Sequence, residues 1–131
     1  MGLMNYSRTE VLENVESGKI TICVIGLGRV GLPTASAFAK AGAKVIGADI
    51  NRELVNLVNS GKCPFVDELG LGELVERVVK KGNLRATTDV SGAVGNSDAI
   101  VVCVPTPVDE QKVPDYSAIE KACKATAKNL K

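Results

Sequence analysis

The run Ile20-Thr21-Ile22-Cys23-Val24-Ile25 leads directly into Gly26-Leu27-Gly28-Arg29-Val30-Gly31. A helix-forming stretch, Ala35-Ser36-Ala37-Phe38-Ala39-Lys40-Ala41, follows and stops at Gly42. A β-branched run, three glycines at G-x-G-x-x-G spacing and a helix describe strand, tight turn, helix. Gly26 allows the turn out of the strand. Gly28 has no Cβ, so a pyrophosphate can approach the backbone. Gly31 lets the helix lie close on the sheet. The unpaired N–H groups of the first helical turn, from Leu27 through Gly31, then face the anion. Pro33 limits where that helix begins. Proline has no N–H and clashes with the carbonyl four residues back, so the start falls between Arg29 and Pro33.

The glycine spacing alone is a weak signal, and its context sharpens it. Lys44-Val45-Ile46-Gly47-Ala48 reads as a second strand, and it ends in Asp49, 18 residues after Gly31 and near the expected separation of about 20. A carboxylate there can accept both hydroxyls of an adenosine ribose. The plainer alternative makes Asp49 an N-cap for the next helix and the glycines ordinary turn residues.

At 131 residues the chain is one domain with room for a core. Its 16 basic and 15 acidic residues nearly cancel, so no field draws nucleic acid or an anionic membrane. An aromatic content of 3% argues against base-stacking surfaces as well. No apolar run approaches transmembrane length. Met1-Gly2-Leu3-Met4-Asn5-Tyr6 lacks the apolar stretch of a signal peptide, and Tyr6 stands where a myristoylation signal wants Ser or Thr. A cytoplasmic protein is the expectation. The four cysteines, Cys23, Cys63, Cys103 and Cys123, are too far apart for a C-x-x-C pair, and there is no histidine. Cys23 and Cys103 fall in apolar strands and read as small buried hydrophobes. No metal site and no catalytic residue is expected.

Along the chain, Ser7-Arg8-Thr9-Glu10 has capping-box spacing and opens a short helix ending at Gly18. Residues 1–18 are read as a helical extension on the outside of the domain formed by residues 19–131. Amphipathic helices are expected over Arg52–Ser60 and Glu73–Lys81, with a loop over Lys62–Gly72 between them. Leu84-Arg85-Ala86-Thr87 reads as a third strand, and Ser91–Val94 as a weak helical turn. Ala99-Ile100-Val101-Val102-Cys103-Val104 reads as a strand covered on both faces. It breaks at Pro105-Thr106-Pro107. A last helix starts near Asp115 or Ser117 and runs to the end.

Alternating strands and helices give an α/β, doubly wound parallel sheet of Rossmann type. Right-handed crossovers give the order 3-2-1-4, with the second half of a full dinucleotide fold incomplete. The ends of strands one and four flank the switch point, where such sheets bind ligands. Val104 and Thr106 should therefore lie beside the glycine turn.

These residues resemble a known family. Val24-Ile25-Gly26-Leu27-Gly28-Arg29-Val30-Gly31-Leu32-Pro33-Thr34-Ala35 is similar to the opening of the nucleotide-sugar 6-dehydrogenases, which act on UDP-glucose, GDP-mannose or UDP-N-acetylmannosamine. Gly47-Ala48-Asp49-Ile50-Asn51 resembles the family's second-strand ending. Glu68-Leu69-Gly70-Leu71 resembles its E-P-G-L loop, with leucine for proline. Val104-Pro105-Thr106-Pro107 and Pro114-Asp115 resemble its fourth-strand loop. Leu-Pro-Thr-Ala, Asp-Ile-Asn, Leu84-Arg85-Ala86 and Val-Pro-Thr-Pro lean towards the UDP-N-acetylmannosamine branch. The likeness covers about Ile20 to Lys131 and only the beginning of the family's polypeptide.

The resemblance implies NAD as cofactor, with Val30, Asp49 and Thr106 among its contacts. It also implies a UDP-sugar substrate and a place in polysaccharide biosynthesis. A homo-oligomer is expected from the strand Ala99–Val104, an apolar edge without an outer neighbour that invites pairing with another copy. The family often has a basic residue five positions after the ribose aspartate. Here that position is Leu54, and Arg52 is the nearby substitute. The family's catalytic cysteine, lysine and acidic partners lie in later segments, and nothing in this chain aligns with them. A competing reading is the nucleotide-sensing regulatory (RCK/KTN-type) domain of a potassium channel or transporter. Such domains often carry the same Gly-Leu-Gly-Arg-Val-Gly turn. Val-Pro-Thr-Pro and Leu-Pro-Thr-Ala favour the dehydrogenase.

Overall fold

A computed structural model describes residues 2–130. Four parallel strands, β1 (Thr21–Ile25), β2 (Lys44–Ala48), β3 (Leu84–Thr87) and β4 (Ala99–Val102), form one sheet in the order β3-β2-β1-β4. The helices are α1 (Arg8–Glu16), α2 (Gly31–Lys40), α3 (Arg52–Asn59), α4 (Leu71–Lys80), α5 (Val90–Gly95) and α6 (Ser117–Asn129). A short 3-10 turn over Leu3–Asn5 precedes α1. The expected continuation of α6 to the chain end includes Lys131, and the expected extension includes Met1; both lie outside the described residues.

Side chains alternate across a strand, and this alternation builds two cores. Ile22, Val24, Val45, Leu84 and Ala86 face one way and pack with Leu32, Ala35 and Ala39 of α2 and Val75 and Val78 of α4. Cys23, Ile25, Ile46 and Ala48 face the other way, against Ala93 and Val94 of α5 and Ala122 of α6. Both faces of the sheet are therefore covered, as a doubly wound sheet requires.

The capping box at α1 is present: Glu10 N–H donates to Ser7 Oγ, and Ser7 N–H donates to the Glu10 carboxylate. Val11 and Val15 of α1 pack against the first core, so this helix rests on the domain. α4 starts earlier than its periodicity suggests, at Leu71. Gly70 takes a left-handed conformation, φ 78°, at its N-cap and turns the preceding loop into the helix.

β4 departs from expectation in two ways. It ends at Val102, before Cys103 and Val104, and its residues are half-buried to exposed. β4, like β3, is an edge strand of the described sheet, with a neighbour on one side only. Cys103 is half-buried at the strand end instead of deep in the core.

Candidate functional site

The C-terminal ends of β1 and β4 meet the start of α2 at the glycine turn. The three glycines are there for different reasons. Gly26 has φ 95°, and a Cβ on it would stand 2.5 Å from the Cys103 carbonyl oxygen. A Cβ on Gly31 would collide with the Gly26 carbonyl oxygen and come within 3.3 Å of Cys103 Cβ. Packing alone demands both. Gly28 is different: a Cβ there would meet no protein atom within 4 Å. The fold leaves the space over Gly28 open and places no demand of its own on that residue.

Leu27 is fully buried and seats the turn on the sheet. Its side chain lies over Gly47 of β2, where an added Cβ would come within 2.6 Å of it. Burying a leucine contributes about 1.5–3 kcal/mol. Gly47 thus makes room for Leu27, and Leu27 fixes the height of the turn above β2.

Asp49, half-buried just past β2, binds the turn from the other strand. One carboxylate oxygen accepts the Leu27 N–H at 2.8 Å, and the other accepts the Asn51 N–H at 2.9 Å. The N-cap of α3 is Asn51, whose side chain accepts the Leu54 N–H. Asp49 is therefore not the cap that the plainer alternative made it. Arg52, the first residue of α3, is exposed, and Leu54 packs against the core.

No side chain caps α2 at Val30, nor α4 at Gly70 or α6 at Tyr116, whereas Ser7, Asn51 and Asp89 cap α1, α3 and α5. Uncapped first-turn N–H groups are suited to an anion. Val30 is 69% exposed, an apolar side chain left at the mouth of the turn. On the β4 side, Val104 N lies 3.2 Å from the position of a Gly26 Cβ. The end of β4 therefore does flank the turn. Thr106 is exposed in the loop beyond it.

Arg29 extends away from the turn to the loop between α3 and α4. Its Nη1 donates to both Asp67 carboxylate oxygens, at 3.2 and 3.0 Å, and lies 3.7 Å from Glu68 Oε1. The guanidinium carbon is 5.1 Å from the centre of the Phe65 ring. The Arg29 hydrogen bond holds the Asp67 carboxyl below its ordinary value. Reading the sequence missed Phe65 and Asp67. No local pattern marks a contact between residues 38 positions apart.

Burial pushes the Cys23 thiol up to about 11, and no cluster of metal-ligating side chains occurs among the described residues. No helix among them is long and apolar enough to cross a membrane. The arrangement can hold a dinucleotide: an uncapped helix start, an open glycine and a carboxylate at the end of the second strand.

Comparison with known proteins agrees with this geometry. Residues 20–131 match the UDP-glucose/GDP-mannose dehydrogenase family, NAD binding domain. The UDP-N-acetyl-D-mannosamine dehydrogenase of Campylobacter jejuni is 49% identical over 84% of this chain and 26% of its own length. The NDP-N-acetyl-D-galactosaminuronic acid dehydrogenase of Ralstonia nicotianae is 46% identical over 85% of this chain and 25% of its own. Among solved structures, the GDP-mannose dehydrogenase of Pseudomonas aeruginosa superposes with a TM-score of 0.77 at 37% identity, covering 80% of this chain and 24% of that one. The chain spans about a quarter of the length of the relatives it matches.

Proposed function

Starting from the fact that the chain belongs to the UDP-glucose/GDP-mannose dehydrogenase family and is its NAD-binding domain, we propose that it serves a UDP-sugar 6-dehydrogenase. The whole enzyme would oxidise the C6 primary alcohol of UDP-N-acetylmannosamine, or of UDP-glucose, to a carboxylate with two NAD⁺ in succession. The match across residues 20–131 favours this over the potassium-transport regulatory reading.

The carrying observation is the open space over Gly28 at an uncapped helix start. In our reading the pyrophosphate lies there. The backbone N–H groups from Gly28 to Gly31 line its approach, with Leu27 anchored to Asp49 and Gly26 shaping the turn beneath. Asp49 accepts the adenosine ribose hydroxyls with lone pairs not used by Leu27 and Asn51. Arg52 stands at the adenosine side of the site, and Val30, Val104 and Thr106 bound it towards β4. NAD⁺ supplies a hydride acceptor when bound. This chain's residues bind and orient it, and the residues that act on the sugar belong to other segments of the enzyme.

We further place the cofactor unit at residues 19–131, with residues 1–18 as an appended helical arm. In the same reading the enzyme is cytoplasmic and belongs to polysaccharide biosynthesis, as the likeness to the nucleotide-sugar dehydrogenases implies. The half-exposed edge strand β4 favours association with another copy.

The test incubates the purified chain with NAD⁺ and UDP-N-acetylmannosamine or UDP-glucose and follows NADH absorbance beside a calorimetric NAD⁺ titration. Saturable binding without turnover is expected. Steady turnover above a no-protein blank would show a complete active site within these residues and overturn the division of labour.

A further inference from the structure

Gly28 has no side chain with which to anchor the turn it occupies, so the turn is held at its flanks. On one flank the buried Leu27 donates its N–H to Asp49. On the other, Arg29 grips Asp67 through both carboxylate oxygens and lies over Phe65. The far end of this second grip is itself fixed. Phe65 and Cys63 pack against the first core, and the Phe65 N–H points at Cys63 Sγ at 3.4 Å.

We propose that Asp67 is a positioning residue for the phosphate-binding turn. Acting through Arg29, it holds the backbone of residues 28–30 in the arrangement that receives a dinucleotide pyrophosphate. The proposal rests on the NAD reading of that turn. Arg29 in this account is a clasp, and the phosphates are met by main-chain N–H groups.

Two effects of opposite sign meet at Asp67. A carboxylate near an anion site repels the anion, so Coulomb's law alone says that removing Asp67 tightens binding. Preorganisation says the reverse. A freed, glycine-containing turn has more conformations to lose when the ligand arrives. An exposed ion pair adds little to fold stability, so the clasp should act on the turn and leave the fold intact.

The experiment measures NAD⁺ affinity by calorimetry, and ¹⁵N relaxation of the Gly28, Arg29 and Val30 amides without NAD⁺, in the unmutated chain and in Asp67→Asn. Expected are an affinity about three- to ten-fold weaker, faster motion of those amides and an unchanged circular dichroism spectrum. Arg29→Gln should do the same, and the double variant should be no worse than Arg29→Gln alone, because the two residues act as one unit. Unchanged or tighter NAD⁺ binding by Asp67→Asn overturns the proposal. If the unmutated chain binds no NAD⁺, the dinucleotide reading fails by itself. The clasp is then judged by relaxation alone, and amide motion unaltered by Asp67→Asn overturns it.

Discussion

The carboxylate of Asp49 receives the Leu27 N–H at 2.8 Å, which ties the end of β2 to the glycine turn. The same group is the one proposed to receive the adenosine ribose. Its position is therefore set by the protein before any ligand arrives, and preorganised groups lose less on binding.

Asp49→Ala should weaken NAD⁺ by about 1–3 kcal/mol, the scale for hydrogen bonds to a charged group. The unmutated chain should prefer NAD⁺ to NADP⁺, because a carboxylate repels a 2′-phosphate. Arg52 is the one nearby cation that favours the opposite choice. Calorimetric titration with both dinucleotides checks this, and tighter NADP⁺ binding would contradict the assignment of Asp49.

Gly31→Ala should damage the fold itself. Its Cβ would run into the Gly26 carbonyl, which is backbone and cannot swing away. Overpacking of this kind costs about 1–3 kcal/mol. Urea unfolding followed by circular dichroism should show that loss. A variant as stable as the parent would mean that α2 does not lie as close to β1 as described.

The cysteines should differ in reactivity. Cys23 is fully buried, with its thiol pushed up to about 11, while Cys123 is exposed on α6. The thiolate is the reacting species, so at neutral pH iodoacetamide should label Cys123 first and Cys23 last. Mass spectrometry of the native protein over time reads the order. Early labelling of Cys23 would place β1 outside the core.

Much of this fold is legible in the chain. The order β3-β2-β1-β4 follows from alternating elements and right-handed crossovers, because both are local rules with one joint solution. The glycine turn and Asp49 are legible because their spacing is short. What escapes is whatever depends on a distant neighbour. The apolar run Ala99–Val104 looks like a strand buried on both faces, yet β4 stops at Val102 and its residues are half-buried to exposed, because hydropathy describes a residue and not what covers it. The grip of Arg29 on Asp67 has no periodic signature. The bridge between Val108 and Pro114 likewise has no periodic signature, although Asp109, whose side chain accepts the Gln111 and Val113 N–H groups, is a turn former by residue type.

Gly28→Val tests the central claim most directly. No protein atom lies within 4 Å of the added Cβ, so the variant should fold like the parent. The added methyls would fill the space assigned to the pyrophosphate. Calorimetric titration with NAD⁺ should show saturable binding by the parent chain and none by Gly28→Val, with matching circular dichroism spectra. A folded Gly28→Val chain that binds NAD⁺ as tightly as the parent would contradict the placement of the cofactor on this turn.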